Sequence, residues 1–170
     1  LAVGICGTDL RIRRGAHRAY SDGVGRVPGH EIAAEIVAVG EGVGTLDEGD
    51  RVFIAPNLSC GRCRACRAGR RNLCENFAAF GITFDGAFAE YVAIPADAVR
   101  QGNVMPVARD LDPGVVAMVE PLACVLRGQR AVGVTSGDVV LICGAGPIGL
   151  LHAVLAQASG ARTVIVSEPQ

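Results

Sequence analysis

The chain has 170 residues, of which 50% are hydrophobic and 19% are charged, a composition typical of a globular protein that argues against disorder. Its 16 basic and 17 acidic residues leave a net charge of −1, so no electrostatic argument favours nucleic acid or an anionic membrane as a partner. The longest apolar stretch, residues 139–156, is broken by glycines and a proline, and no transmembrane helix is expected.

The first part of the chain, up to about residue 112, has the pattern of a β domain. Short apolar runs rich in β-branched residues alternate with glycine turns, as in barrel-like folds. The segment from Arg11 to Arg26 is polar, has no clear periodicity and is expected to be a loop. Strands are predicted at residues 32–39, 51–54 and 87–94.

A helical pattern begins at Asp112, which is suited to cap a helix whose first residue is Pro113. Apolar residues then recur at helical spacing, at positions 115, 119, 122 and 126. Pro121 is expected to interrupt this helix and to leave Glu120 at a backbone irregularity.

The stretch from Val139 to Leu155 predicts a strand, a glycine turn and a helix, which is the arrangement that binds a dinucleotide pyrophosphate. A second apolar run at 163–166 completes a βαβ unit, and Glu168 directly after it suits the ribose hydroxyls of NAD. Such a helix offers unpaired N–H groups to phosphate oxygens. The candidate cofactor-binding residues are Gly144, Gly146, Pro147, Ile148, Gly149 and Glu168.

Four of the seven cysteines are concentrated in residues 60–74, with the spacing C-x2-C-x2-C-x7-C of Cys60, Cys63, Cys66 and Cys74. Four thiolates in one loop can close a tetrahedral zinc site, which is structural because no coordination position stays open. A ferredoxin cluster has a shorter last gap followed by proline, and a nucleic-acid zinc ribbon has two separated knuckles, so both are disfavoured. The odd cysteine count and this clustering predict a reducing compartment, taken as the cytoplasm.

These motifs occur in a familiar order. The segments ICGTDL, PGHE, GDRV, the four-cysteine lobe, EPLA and CGAGPIG resemble those of the zinc-dependent medium-chain alcohol and polyol dehydrogenases, in particular the sorbitol and threonine dehydrogenase branch. The resemblance implies a fold of class α/β plus β. A GroES-like β-barrel catalytic domain would span residues 1–112, with the zinc lobe at 60–74. The first part of a Rossmann NAD-binding domain would span residues 113–170. It also implies about 35 further residues before Leu1 and half a subunit after Gln170.

The same resemblance implies a second, catalytic zinc site. Its ligands would come from Cys6, His30, Glu31 and Glu120, and the sequence leaves open which glutamate binds directly. Asp9 is expected to orient His30, and Thr8 to pass on the proton of the alcohol. The family usually has a proton-relay histidine where this chain has Arg11, which cannot shuttle protons near neutral pH.

The predicted function is a zinc-dependent hydride transfer between a secondary alcohol or polyol and NAD, with NADP possible and two zinc ions per subunit. The partners expected are a small-molecule alcohol and further copies of the same subunit. Alone, the 170 residues are expected to be inactive. The alternatives are a zinc-stabilised binding or regulatory module without turnover and a zinc-free quinone or enoyl reductase.

Overall fold

A computed structural model describes residues 1–18, 20 and 25–169. They form two compact units, one from Leu1 to Met118 and one from Val119 onward. In the described part of the chain, no helix has both the length and the apolar character needed to cross a bilayer. The division into domains at residue 112 stays a prediction beside this boundary.

The first unit consists of short strands and helices joined by long connections. Its strands are β1 (Ala2–Gly4), β2 (Glu31–Glu35), β3 (Arg51–Ile54), β4 (Asn57–Leu58), β5 (Ala78–Ala79) and β6 (Val104–Pro106). Its helices are α1 (Gly7–Arg13), α2 (Arg64–Arg67), α3 (Ala96–Arg100) and α4 (Pro113–Ala117), and a 3₁₀ turn spans Arg71–Leu73.

The core of this unit lies on both faces of one antiparallel sheet with the strand order β1-β2-β3-β6. Alternate residues of a strand point to opposite faces. Val52 and Ile54 of β3 therefore pack in one apolar cluster, and Phe53 between them packs in the other. Val116 and Ala117 of α4 cover the Phe53 face. The sheet thus fixes β1, which Cys6 follows, and β2, which begins at Glu31 directly after His30.

The strand predicted at 51–54 is confirmed, but two others differ from the prediction. The strand expected at 32–39 ends at Glu35. Ile36 instead exchanges hydrogen bonds with the turn at residues 49–50. The stretch 87–94 is not a strand, because the N–H groups of residues 86–88 bond to the irregular loop at 27–29.

The segment from Arg11 to Arg26, expected to be a loop, begins inside helix α1. Part of that predicted loop, residues 19 and 21–24, lies outside the described residues. The apolar spacing gave no sign of α1 because this helix is seven residues long and carries basic residues in its last turn.

The helix expected to break at Pro121 breaks earlier, at Met118. The second unit begins there with α5 (Val119–Val132). Pro121 lies in the first turn of α5, where a backbone N–H has no intrahelical acceptor, so the proline ring costs no hydrogen bond. Glu120 therefore belongs to the first turn of a regular helix.

The rest of the second unit is the predicted strand, turn, helix and strand: β7 (Val139–Cys143), α6 (Pro147–Ala158) and β8 (Thr163–Ser167). β7 and β8 pair in parallel, with Val139 opposite Thr163 and Cys143 opposite Ser167. Helix α5 packs on α6, and the Gln129 side chain donates a hydrogen bond of 2.8 Å to the His152 carbonyl. This strand–helix–strand arrangement is one βαβ unit of the kind from which doubly wound α/β sheets are built.

Candidate functional site

The first candidate ligand, Cys6, is held at the N-terminus of α1. Its sulfur accepts a hydrogen bond of 3.5 Å from the Thr8 N–H. Its own N–H donates a 2.8 Å hydrogen bond to Oδ2 of Asp9. The second contact forms a capping box together with a hydrogen bond from the Asp9 N–H to the Cys6 sulfur, so that the side chains of the cap residue and of the third helical residue satisfy each other's backbone. Helix initiation therefore fixes the Cys6 sulfur and the Asp9 carboxylate together.

The other oxygen of the same carboxylate faces the second candidate ligand. Oδ1 of Asp9 lies 3.5 Å from Nδ1 of His30. The two residues are 6% and 7% exposed, and neither of these atoms forms a hydrogen bond within the described part of the chain. A buried carboxylate is costly unless positive charge lies near it. When Nδ1 of a histidine ring faces a carboxylate, Nε2 points away from that carboxylate. Metal-ligating histidines are commonly oriented in this way.

The third candidate, Glu31, starts β2 and is 6% exposed. It pairs with Gly4 of β1 across the antiparallel ladder. A Cβ atom on Gly4 would lie 1.9 Å from Oε2 of Glu31, well inside van der Waals contact. The Glu31 carboxylate therefore occupies the space that a side chain on Gly4 would fill.

The loop that carries His30 is fixed from its other side. The N–H groups of Gly86, Ala87 and Phe88 donate to the carbonyls of residues 27, 29 and 28, at 2.7 to 3.0 Å. These bonds connect the irregular segment before β2 to residues 86–88, although it belongs to no strand. His30 and Glu31 thus lie between a hydrogen-bonded loop and a sheet.

Metal-ligating atoms of Cys6, His30 and Glu31 all lie within 4.8 Å of one another. One thiol, one imidazole and one carboxylate form a donor set that suits zinc. The structure thus brings together three of the four residues proposed for the catalytic zinc. The fourth, Glu120, lies in the second unit, where its Oε1 is 3.8 Å from the Cys124 sulfur. Its role as a ligand stays a prediction.

The four cysteines of the lobe also meet. Their sulfur atoms lie within 4.8 Å of one another, and the Sγ atoms of Cys63 and Cys74 are 4.0 Å apart. Zinc–sulfur bonds of about 2.3 Å in a tetrahedron imply sulfur separations of about 3.8 Å. The residues present therefore fit a closed four-thiolate zinc site.

Backbone N–H groups of the lobe point at these sulfur atoms and change their acidity. The N–H groups of Arg62 and Cys63 lower the pKa of Cys60 to about 6. N–H groups of Cys66 and Glu75 lower the pKa of Cys63. Burial raises the pKa of Cys66 to about 11. A dication in the lobe would supply the positive charge that buried thiolates need.

The glycine turn of the second unit has the shape expected of a phosphate-binding turn. A Cβ on Gly149 would lie 2.0 Å from the Gly144 carbonyl oxygen, so only glycine lets α6 approach β7 this closely. A Cβ on Gly146 would meet no atom within 4 Å, and Gly146 caps α6 without a side-chain hydrogen bond. The start of α6, with Pro147 and Ile148 in its first turn, is open to an anion.

Glu168 follows β8 and reaches back to this turn. Its Oε2 accepts a hydrogen bond from the N–H of Ala145. The acidic side chain predicted to bind ribose is therefore next to the turn predicted to bind pyrophosphate. This adjacency is the second requirement of a dinucleotide site.

Gly4 was not among the site residues predicted from the sequence. A glycine inside a strand often marks a place where another group approaches closely, and that signal was present two residues before Cys6. Which group approaches could not be known without the β1–β2 register, which no local pattern encodes.

Comparison with known proteins adds independent information. Residues 1–107 match the family described as the alcohol dehydrogenase GroES-like domain. The L-galactonate-5-dehydrogenase of Escherichia coli (strain K12) is 40% identical over 96% of the chain and 46% of that protein. The L-threonine 3-dehydrogenase of Pyrococcus abyssi is 43% identical over 99% of the chain and 47% of that protein.

Among solved structures, a Sinorhizobium meliloti 1021 protein, provisionally described as a zinc-binding dehydrogenase and bound to NADP, superposes with a TM-score of 0.88. It is 42% identical, over 99% of this chain and 47% of that one. The chain thus spans about half the length of the proteins it matches. The predicted fold class, a GroES-like domain followed by the start of a nucleotide-binding unit, is confirmed.

Proposed function

Because the chain belongs to the zinc-binding alcohol and polyol dehydrogenases that carry a GroES-like domain, we propose that its full-length protein oxidises a secondary alcohol. In the proposed reaction the alcohol loses a proton and a hydride, and becomes a ketone. NAD⁺ takes the hydride and becomes NADH.

One observation carries this proposal: the meeting of Cys6, His30 and Glu31 within 4.8 Å, with the last two buried. A purely structural zinc site would be closed by four protein ligands, whereas a catalytic one keeps a position for substrate. Three donors from the first unit leave that position available. Glu120 is retained as a candidate ligand or as a partner through water.

In this proposal Cys6, His30 and Glu31 hold the catalytic zinc, which when bound supplies Lewis-acid polarisation of the alcohol oxygen. Asp9 keeps the His30 ring in one orientation. Thr8 Oγ1 accepts the hydrogen bond of the substrate hydroxyl and passes its proton outward. Arg11 cannot continue that relay, since its guanidinium stays protonated, so water takes the proton from Thr8.

The cofactor is proposed to lie at the glycine turn. Gly144 and Gly146 leave room for its pyrophosphate, and Gly149 lets α6 pack closely on β7. Glu168 accepts the hydrogen bonds of its adenosine ribose. A carboxylate there repels a ribose 2′-phosphate, so NAD is preferred to NADP. The Sinorhizobium meliloti structure holds NADP, so NADP is assayed beside NAD.

The second zinc is proposed to be structural and held by Cys60, Cys63, Cys66 and Cys74. Two groups of side chains fit zinc, the four cysteines of the lobe and the group of Cys6, His30 and Glu31. Both groups argue against the zinc-free reductase alternative. Assembly into homo-oligomers and a cytoplasmic location are further proposals, which rest on the family resemblance and on cysteine usage.

The test is a panel of secondary alcohols, including L-threonine, L-galactonate and hexitols, assayed on the full-length protein with NAD⁺ and NADP⁺. Zinc is quantified in the same samples. We expect turnover with two zinc ions per chain, and loss of turnover with one zinc in His30→Ala. His17→Ala, on a histidine outside both ligand sets, serves as the matched control. Two bound zinc ions without turnover on any alcohol would favour the binding-module alternative, and a single zinc in the unaltered protein would overturn the catalytic site.

A further inference from the structure

Arg11 stands one helical turn after Thr8, on the same face of α1. Its side chain is exposed. Within the described residues, no ion pair of its guanidinium is found. As far as the described residues show, a permanent positive charge without an ion-pair partner therefore lies one turn from the proposed proton acceptor.

The simplest other role for Arg11 is to neutralise the negative C-terminal end of α1. Arg13 already places a charge in the same last turn. Arg13 comes five residues after Thr8, and at about 100° per residue this places it on nearly the opposite side of the helix. Helix stability thus accounts for Arg13 but does not require a second arginine on the Thr8 face.

In the described part of the chain, the carboxylates of Asp9 and Glu31 are also engaged. Both oxygens of Asp9 are directed at Cys6 and His30. Glu31 is buried within the space left by Gly4. Neither of these two described carboxylates neutralises Arg11, so its guanidinium can interact with a ligand. A guanidinium is suited to planar, two-point recognition of carboxylate or phosphate, and a neutral hydroxyl gains much less from it.

We propose that Arg11 binds the carboxylate or phosphate group of an anionic substrate, which makes the preferred alcohol a hydroxy acid or a sugar phosphate instead of an uncharged polyol. This inference rests on the proposed function, because it takes Thr8 to lie at the reacting hydroxyl. Arg11 then takes the position of the relay histidine usual in the family, and it determines the substrate class by binding the anionic group. The pyrophosphate of the cofactor is the other anion that could supply the same chemistry.

The experiment compares L-galactonate with galactitol, which differ only in having a carboxylate or a hydroxymethyl group at one end. The full-length enzyme, Arg11→Gln, Arg11→Lys and the control Arg13→Gln are measured for kcat/KM on both alcohols and for KM of NAD⁺. Dissociation constants of both alcohols in the presence of NADH are measured by calorimetry, which requires no turnover.

The unaltered enzyme is expected to prefer galactonate. Arg11→Gln should lower the galactonate-to-galactitol ratio of kcat/KM, and the ratio of affinities, at least about tenfold, the usual loss for a charge-assisted hydrogen bond. Arg11→Lys should recover part of this loss, and Arg13→Gln should leave the ratio unchanged. A preference for galactitol, an equal loss on both alcohols, or a rise confined to the KM of NAD⁺ would each overturn the proposal. If the unaltered protein turns over neither alcohol but binds galactonate more tightly in calorimetry, and Arg11→Gln loses that preference, the proposed reaction is contradicted and the anion site is supported.

Discussion

Gly4 and Glu31 lie opposite each other in the β1–β2 ladder, and the Glu31 carboxylate occupies the volume that a side chain on Gly4 would fill. This pairing connects strand register to the candidate metal site. A residue that contacts no ligand itself decides whether one of the proposed ligands can be in place.

Gly4→Ala is therefore expected to displace the Glu31 carboxylate, since the new methyl group would overlap Oε2 at 1.9 Å. Overpacking of this kind costs about 1–3 kcal/mol. Zinc content of the full-length protein should fall from two ions to one per chain, and the four-cysteine lobe should keep its ion. Gly7→Ala is the matched control, because a Cβ on Gly7 meets nothing within 4 Å. Full zinc occupancy and unchanged zinc affinity in Gly4→Ala would refute this role.

Asp9→Asn tests the carboxylate that joins Cys6 to His30. An amide can still accept from the Cys6 N–H, but it removes the negative charge 3.5 Å from His30 Nδ1. Zinc affinity at the candidate catalytic site is expected to fall about 10- to 100-fold, as for other partners of metal-bound histidines. Competition with a chromogenic chelator measures it. Asp97→Asn, at an exposed ion pair with Arg100, should change little; an equal effect of the two substitutions would show that Asp9 has no special role.

The thiols of the lobe should differ in reactivity once zinc is removed. With a pKa of about 6, Cys60 is roughly three-quarters thiolate at pH 6.5. Cys66, with a pKa of about 11 and a buried side chain, stays protonated there. Iodoacetamide treatment of the chelator-stripped protein, followed by peptide mass mapping, should modify Cys60 first, and zinc should protect both. Labelling of Cys66 before Cys60 would contradict the assigned acidities.

Glu168→Ser should weaken the preference for NAD over NADP. The carboxylate reaches the glycine turn through the Ala145 N–H, where it would meet a 2′-phosphate with a like charge. We expect the NAD-to-NADP ratio of kcat/KM to fall at least about tenfold, with Glu41→Ser, at an exposed carboxylate of the first unit, as control. An unchanged ratio would place cofactor discrimination elsewhere.

What the sequence could predict depends on how local each feature is. The glycine turn before Pro147 and the lobe from Cys60 to Cys74 are complete within a few residues, so spacing alone identified them. Cys6 and His30 are distant in sequence, so only the family resemblance predicted that they share a site. The sheet of the first unit places them close together. The proximity of Asp9 to His30 was expected on the same ground.

Other features depend on contacts that no local pattern encodes. Helix α1 is stabilised by a capping box between a cysteine and Asp9, where a serine or threonine would have been the recognisable signal. The residues from Ala87 have the composition of a strand, but their partner is the irregular loop before His30. Pro121 disturbs nothing because α5 begins two residues earlier. The error at residues 87–94 thus arises where a tertiary partner decides the backbone, whereas the errors at α1 and Pro121 arise from helix starts that the usual sequence signals do not mark.

The central claim is that Cys6, His30 and Glu31 hold a second zinc ion apart from the cysteine lobe. Anomalous diffraction at the zinc absorption edge, from crystals of the full-length protein, tests it most directly. We predict two peaks per chain, one among the lobe sulfurs and one within about 2.0–2.3 Å of Cys6 Sγ and a His30 ring nitrogen. A single peak in the lobe, with none between Cys6 and His30 in zinc-saturated crystals, would contradict the account.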